Sequence, residues 1–143
     1  MAEKIFISAD HMQMNINSGN SVYTGNVKVS QGELKLSGDK VILKNYKDEL
    51  EQLIITGKPA RYNHVSANGE NVKAESEHIV YAASKNKLIL TTNAKLVQPD
   101  HKLSSQKIIY DTLNKTIIAG DENAKKTQRV NIILTPKKSS SEK

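Results

Sequence analysis

Residues 22–43, VYTGNVKVSQGELKLSGDKVIL, occur a second time in this chain as residues 89–110, ILTTNAKLVQPDHKLSSQKIIY. The two copies align without a gap, so that Asn26 and Lys28 of the first recur as Asn93 and Lys95 of the second. Where the copies differ, an apolar residue mostly stands opposite another apolar residue. An internal repeat of this kind fixes the architecture, because each copy has to form the same structural unit.

Apolar residues alternate with polar ones along both copies, at positions 27 and 29, 34 and 36, and 41 and 43 of the first. Successive side chains of a strand point to opposite faces of a sheet, so this pattern predicts half-buried strands. The runs are separated by TGN at 24–26, QGE at 31–33 and SGD at 37–39. Gly and Asn tolerate the positive φ of tight turns. The pattern therefore predicts a β-meander with strands of about five residues.

The composition limits the possible classes of protein. The 143 residues suffice for one domain, and the chain has no cysteine, which excludes disulfides and thiol chemistry. No apolar run approaches the roughly 20 residues of a membrane-spanning helix. The net charge of +6 comes almost entirely from lysine and favours either an anionic partner or a well-solvated surface. The first residues, Met1-Ala2-Glu3, show no signal peptide, and we expect one to have been removed or omitted.

The order of the chain follows the repeat. We expect a domain over residues 1–136 with repeat halves of about 5–70 and 71–136, and a disordered Lys/Ser tail over residues 137–143. Residues 44–50, KNYKDEL, are the one place where a short helical turn fits. Gly57-Lys58-Pro59 is interpreted as a turn between two strands. No amphipathic helix is available to cover the sheet, so we expect two sheets whose apolar faces meet, as a closed core or around an apolar groove.

Several motifs resemble the OstA-like family of lipopolysaccharide transport proteins. Residues 23–32, YTGNVKVSQG, are similar to a TGNV-x-V-x-QG run of that family, and GKPA at 57–60 looks like its characteristic turn. The resemblance extends from Ile5 to Pro136. It implies an all-β fold, a bent β-jellyroll of two facing antiparallel sheets with about 16 short strands. The second TGN is replaced by Thr91-Thr92-Asn93, a departure that concerns loop shape.

The resemblance also implies a function. A small chain with a Lys/Ser tail looks like the periplasmic member of the family. Such a member binds the lipid A chains of lipopolysaccharide between its sheets. Copies stack head-to-tail as a bridge between inner-membrane and outer-membrane components of the transport machinery. The alternatives are a domain of a membrane-anchored partner or of the outer-membrane translocon, or a basic β-module that binds nucleic acid or acidic polysaccharide.

The candidate groove residues are the inward side chains of the alternating pattern. They form either a plain core or a lipid-binding surface, and four of them (Ile5, Ile7, Tyr62 and Tyr81) match family positions that line the groove. The full groove set is Ile5, Ile7, Met14, Tyr23, Val29, Leu36, Tyr62, Ile79, Tyr81, Leu90, Leu96 and Tyr110. The terminal strands offer unpaired edges for stacking, and the expected edge residues are Ile5, Phe6, Ile7, Val130, Ile132 and Leu134.

The remaining polar features carry weaker predictions. A lysine stripe faces outward in both copies and serves either solvation or attraction of phosphates; it consists of Lys28/Lys95, Lys35/Lys102 and Lys40/Lys107. His11 and His78 occupy equivalent outward positions without a third ligand at metal-binding spacing. His101 lies either at the groove mouth or on a bulge that turns it outward. No catalytic constellation is present, so we expect neither an enzyme nor a cofactor.

Overall fold

The structure, a computed structural model, describes residues 4–120 and 129–136. These residues form one antiparallel sheet of ten strands and a short 3₁₀ helix at Ala83–Lys85. The strands are β1 (Phe6–Ser8), β2 (His11–Met14), β3 (Ser21–Gln31), β4 (Leu34–Tyr46), β5 (Glu49–Val65), β6 (Asn71–Ala82), β7 (Lys87–Gln98), β8 (His101–Asp111), β9 (Thr116–Ala119) and β10 (Asn131–Leu134). In the described ranges no helix is long and apolar enough to cross a membrane.

The sheet is a meander, as the sequence predicts. Strands β3 to β8 pair in chain order, each with the strand before and the strand after it. Both β1 and β2 pair with β3 at one side of the sheet, and both β9 and β10 pair with β8 at the other side. Strand order therefore follows chain order from one edge to the other.

A row of register irregularities crosses the sheet. They occur between Thr24 and Val27 of β3, between Ser37 and Lys40 of β4, and then in each following pair up to β7 and β8. Bulges bend a strand and increase its twist. Because these irregularities are aligned, they form one corner across all six long strands.

The corner divides the sheet into two halves. The β1 half contains β1, β10 and residues 27–31, 34–38, 60–65, 71–76, 94–98 and 101–105. The β2 half contains β2, β9 and residues 21–24, 40–46, 49–56, 78–82, 87–91 and 107–111.

Two tyrosines demonstrate that the halves face each other. Tyr81 pairs with Leu53, which lies on the same strand as Tyr62. Positions 53 and 62 of a straight strand would be about 30 Å apart. The ring centroids of Tyr62 and Tyr81 are nevertheless only 6.4 Å apart. The corner therefore folds the sheet back on itself and brings its two inner faces together.

Three expectations are wrong in the structure, and a fourth is not confirmed. The described residues form ten strands in one continuous sheet, so a jellyroll of about 16 strands is not confirmed. The TGN and SGD triplets lie inside β3 and β4, because a positive φ at Gly25 and Asn26 serves a bulge as well as a hairpin. Gly57-Lys58-Pro59 likewise lies within β5. Residues 44–50 contain no helical turn; Lys47 and Asp48, both with positive φ, form the two-residue loop between β4 and β5.

The core lies between the halves. Val27, Val41, Ile55, Ile79 and Ile108 have no exposed surface, and they belong to a single buried apolar cluster that includes residues from both halves. The tail 137–143 lies outside the described residues.

Candidate functional site

The inner faces consist of apolar rows that run across the sheet in register. In the β1 half one row continues over eight strands: Ile7, Val29, Leu36, Tyr62, Ala74, Leu96, Leu103 and Ile132. In the β2 half a matching row contains Met12, Tyr23, Val41, Ile55, Ile79, Leu90, Ile108 and Ala119. Cross-strand neighbours of this kind are the unit of sheet stabilisation. The two rows give a continuous aliphatic surface between the halves.

The structure places all twelve candidate groove residues on this inner surface. Eight of them are buried: Tyr23, Val29, Leu36, Tyr62, Ile79, Leu90, Leu96 and Tyr110. Ile5, Ile7 and Tyr81 are half-buried and pack against the core, and Met14 is 45% exposed at the edge strand β2. The partly accessible members therefore lie at the margins of the inner surface. Their contact with a lipid stays a prediction.

Sequence reasoning left some inner residues out of the site. Leu53 is 1% exposed and pairs with Leu43 and Tyr81 on the neighbouring strands. Its alternation with Ile55 was a usable signal. Ala74 pairs with Tyr62 and leaves room for that ring. Small residues of this kind carry no hydrophobic signal of their own, so only the register identifies them.

Two cavities open at the mouth, the margin between the halves that lies opposite the corner. One of about 640 Å³ lies near the N-terminal edge and is lined by Ile5, Met14, Tyr23, Leu43 and Leu50 among others. The other, of about 320 Å³, is lined by Tyr62, Tyr81 and Tyr110 together with the polar residues His64, Glu70, Gln98 and Lys115. The mouth is therefore polar at its rim and apolar behind it.

The three tyrosines of the second cavity have perturbed hydroxyl groups. Burial raises the pKa of Tyr62 well above its usual value, and the nearby Tyr81 and Tyr110 raise it further. Burial also raises the pKa of Tyr81 and of Tyr110, although a hydrogen bond with the Gln98 side chain lowers the latter in part. Tyr110 belongs to the β2 half and Gln98 to the β1 half, so this hydrogen bond crosses the mouth. All three hydroxyls are neutral at physiological pH.

The outer surface carries the charges. The six lysines of the stripe lie on the outward side of their strands, and five of them are exposed, with Lys107 half-buried. His11, His78 and His101 are exposed as well. His101 pairs with Gln98 and lies two residues from the inward Leu103 without an intervening bulge, so it belongs to the inner face at the mouth. Within residues 4–120 and 129–136 no three His, Asp or Glu side chains come together as a metal site.

Comparison with known proteins gives the family. Residues 6–116 match the family model described as LptA/(LptD N-terminal domain) LPS transport protein. The chain belongs to this family. The match covers nearly the whole meander, from β1 into the start of β9.

Individual members of the LptA/LptD N-terminal family agree with this assignment. The lipopolysaccharide export system protein LptH of Pseudomonas aeruginosa is 32% identical over 142 residues, which is 95% of this chain and 81% of that protein. The lipopolysaccharide export system protein LptA of Escherichia coli K12 is 30% identical, over 94% of this chain and 72% of that protein. These names describe transport proteins and not enzymes.

A solved structure supports the fold. The crystal structure of LptH, described as the LptA homologous periplasmic component of the lipopolysaccharide transport device of Pseudomonas aeruginosa, superimposes with a TM-score of 0.83. The two chains are 30% identical, and the match covers 94% of this chain and 96% of that one. The all-β antiparallel architecture is thus shared with an LptA/LptD N-terminal family member.

Proposed function

We propose that this protein is a periplasmic carrier that binds lipopolysaccharide through its acyl chains between the two halves of the folded sheet. The observation that carries the proposal is the continuous aliphatic surface, which extends over eight strands and reaches the mouth through Ile5, Ile7 and Tyr81. We also propose that the jellyroll of about 16 short strands is the same fold counted in straight segments, since the six long strands divided at the corner give twelve segments and β1, β2, β9 and β10 give four more.

Acyl chains require a dry aliphatic wall and little else. Each buried CH₂ group contributes about 0.8 kcal/mol, so several chains of a lipid supply ample free energy. The inner surface is closed in the free protein, since Leu90, Leu96 and Ile108 are at most 1% exposed. Entry therefore requires the halves to separate at the mouth, where Tyr62 contacts Tyr81 and Tyr110 is bound to Gln98. The saccharide remains outside, beside the polar rim.

A charge at the mouth tests the groove. Tyr81→Asp places a carboxylate beside Tyr62 and Leu53 in the path of the acyl chains, and we expect lipopolysaccharide capture to fall at least tenfold, because an unpaired charge in an apolar site costs several kcal/mol. Tyr46→Asp is the matched control, since Tyr46 is 62% exposed and remote from the inner surface. Capture is measured by co-purification with labelled lipopolysaccharide. Unchanged capture by a folded Tyr81→Asp protein would reject the groove.

The sheet edges support the second part of the proposal, a head-to-tail bridge between membrane components. Within the described residues β1 and β10 each have a neighbour on one side only. Antiparallel pairing alternates over the eight strands from β1 to β10, so these two strands run in opposite directions. Copies stacked in the same orientation therefore bring β10 of one against β1 of the next as an antiparallel pair. The two edges differ, so the contact is heterologous and continues as a filament.

Cysteine pairs test the stacking because the chain has no native cysteine. Phe6 and Ile133 lie on opposite edge strands, seven strand spacings or about 34 Å apart, too far for a disulfide within one molecule. We expect the variant with both Phe6→Cys and Ile133→Cys to form a ladder of disulfide-linked oligomers on oxidation. Each single variant, as control, gives at most dimers. A double variant that also stops at dimers would exclude the bridge and leave a soluble carrier.

A further inference from the structure

The outer face of the β1 half contains a cleft that has no part in the groove. This outer cleft has a volume of about 590 Å³ and is lined by the outward residues Phe6, Lys28, Ser30, Lys35, Ser37 and Arg61. The intervening residues Ile7, Val29, Leu36 and Tyr62 of the same strands also border it. The backbone of β1, β3, β4 and β5 separates it from the inner surface, because the intervening residues Ile7, Val29 and Leu36 point inward. A ligand in the cleft would therefore not compete directly for the groove.

Three cations and several serine hydroxyl groups line the outer cleft. Lys28, Ser37 and Arg61 are register partners on three adjacent strands, and Lys35 pairs with Ser30 in the next row. Neighbouring strands are about 4.8 Å apart, and alternate residues on a strand are about 6.8 Å apart. All three cationic groups therefore reach a ligand of one sugar ring. No carboxylate is among the described residues that line the cleft, although Glu75 on β6 lies 3.8 Å from the Nε atom of Arg61 at its far side.

The second repeat provides an internal contrast. There Lys95 and Lys102 occupy the positions of Lys28 and Lys35. Lys95 faces the carboxylate of Glu75 in register on β6, whereas Lys28 faces the neutral Ser8 on β1. Glu75 is also the register partner of Arg61 and lies 3.8 Å from its Nε atom, so the acid stands between Arg61 of the cleft and Lys95 of the second copy. The contrast therefore rests on Lys28 and Lys35, whose register partners are all neutral, and these two lysines are the cations of the cleft without a facing acid.

Phe6 and Asn63 add features that a bare phosphate would not require. The Phe6 side chain is 65% exposed at the rim of the cleft, where its ring offers a flat apolar surface for the face of a sugar ring. Asn63 lines the cleft beside Lys35, and its Oδ1 atom is buried without a hydrogen-bond partner in the described part of the chain. Rotation about its loosely constrained χ2 presents that acceptor to a ligand hydroxyl.

We propose that the outer cleft is a binding site for a phosphorylated sugar. Lys28, Lys35 and Arg61 hold the phosphate by charge-assisted hydrogen bonds, the hydroxyls of Ser30 and Ser37 contribute further donors, and Phe6 contacts the sugar ring. The source of the phosphosugar is either the saccharide of a carried lipopolysaccharide or a separate soluble molecule. The site itself stands without the groove, since it lies on the opposite face of the sheet half.

The test uses the full ¹⁵N-labelled chain and a probe without acyl chains, glucosamine 6-phosphate, in an NMR titration. We expect shifts of the backbone amides around the cleft on β1, β3, β4 and β5. The double variant Lys28→Gln and Lys35→Gln should weaken binding about tenfold, as loss of two charged hydrogen bonds implies. The matched control, Lys95→Gln and Lys102→Gln, changes the net charge equally and should weaken it less than about twofold. Phe6→Ala should weaken the binding of glucosamine 6-phosphate but not the binding of inorganic phosphate.

Several outcomes would overturn the proposal. If both double variants lose glucosamine 6-phosphate affinity to the same extent, the binding depends on the net charge of the protein and not on a specific site. The sugar would be excluded from the proposed ligand by two results together. Inorganic phosphate would bind as tightly as glucosamine 6-phosphate, and Phe6→Ala would leave the binding of both unchanged. Tighter binding of a single-stranded oligonucleotide at the same amides would assign the cleft to nucleic acid instead.

Two further arms separate this site from the groove and identify the source of the sugar. Tyr81→Asp should leave glucosamine 6-phosphate binding intact, so failure of the groove and failure of the cleft are distinguishable. Prior loading with lipopolysaccharide identifies the source. Competition assigns the cleft to the carried lipid's saccharide, and undisturbed binding assigns it to a separate phosphosugar.

Discussion

Gly38 lies on β4 at the corner, where the sheet folds back on itself, and its missing side chain permits a close approach of β5. A Cβ atom at this position would lie 2.6 Å from Cγ2 of Ile55 and 2.6 Å from the backbone oxygen of Thr56. Ordinary contacts between such atoms are about 3.5–4.0 Å. Gly38→Ala therefore requires β4 and β5 to separate by about 1 Å at the corner.

The loss of free energy of unfolding in Gly38→Ala depends on whether the atoms that the new methyl group would contact can move. The Ile55 side chain is completely buried, and the Thr56 oxygen belongs to the backbone, so neither can rotate aside. Inserting a methyl group into a tightly packed site costs about 1–3 kcal/mol, and we expect a loss near the upper end of this range. For a chain of this size a loss of about 3 kcal/mol lowers Tm by roughly 10 °C.

Gly69→Ala is the control that separates close packing from backbone conformation. Gly69 has a φ of +85°, and a methyl group added there would meet no atom within 4 Å, so its substitution costs only the left-handed strain, about 1–2 kcal/mol. Gly38 needs no positive φ, so its cost is steric alone. Urea unfolding followed by far-UV circular dichroism gives both free energies of unfolding. If Gly38→Ala costs no more than Gly69→Ala, the close approach does not stabilise the corner.

Three further predictions concern the core and the titrating groups. Leu53→Ala should lower the free energy of unfolding by about 2–5 kcal/mol in urea titrations, because Leu53 is 1% exposed and its removal leaves a cavity. The raised pKa values of Tyr62, Tyr81 and Tyr110 mean that their contribution to stability is complete below the unfolded pKa near 10 and falls as the pH rises above it. Tyrosinate absorbance should then show that Tyr62, Tyr81 and Tyr110 ionise only as the protein unfolds; their ionisation before unfolding would contradict their burial. Hydrogen bonds from the Asn114 and Leu113 backbone lower the pKa of Asp111, so its contribution is present above about pH 3.8 and is lost as the pH falls through the lower folded pKa. Asp111→Asn should therefore flatten the acid limb of the stability curve, and an unchanged limb would show that the turn does not depend on the charge.

The sequence predicted the faces of the strands well because alternation is a local property. Every inward position between Val27 and Leu43 that the period-two pattern selects is buried. A residue such as Val41 needs no knowledge of its neighbours to be assigned, since a strand has only two faces.

The corner could not be predicted in the same way. Gly25 and Asn26 have positive φ inside a continuous strand, and so do Thr92 and Asn93 in the second copy. Those dihedral angles suit a hairpin and a bulge alike, and the difference depends on whether the partner strand continues beyond them. Thr92 carried no turn signal, because a β-branched residue rarely adopts positive φ.

The site also depends on contacts between distant parts of the chain. Tyr62 and Tyr81 meet only because the corner brings the halves together, and the hydrogen bond between Tyr110 and Gln98 has the same origin. The contrast between Lys28 and Lys95 likewise needs the register, which places Ser8 opposite one and Glu75 opposite the other. Sequence identity between the repeats concealed this difference in charge environment.

The meander order of the strands has a consequence for how the molecule folds and how it could grow. Among the described residues, strands β4 to β7 each pair only with the strands before and after them in the chain, so this part of the sheet behaves as a one-dimensional array of hairpins. Folding of such an array can nucleate at any hairpin and propagate outward, without waiting for distant segments to meet. The described sheet is open at both edges, so its geometry does not fix the number of strands. Duplication of one more hairpin would lengthen the protein while every existing contact stayed as it is.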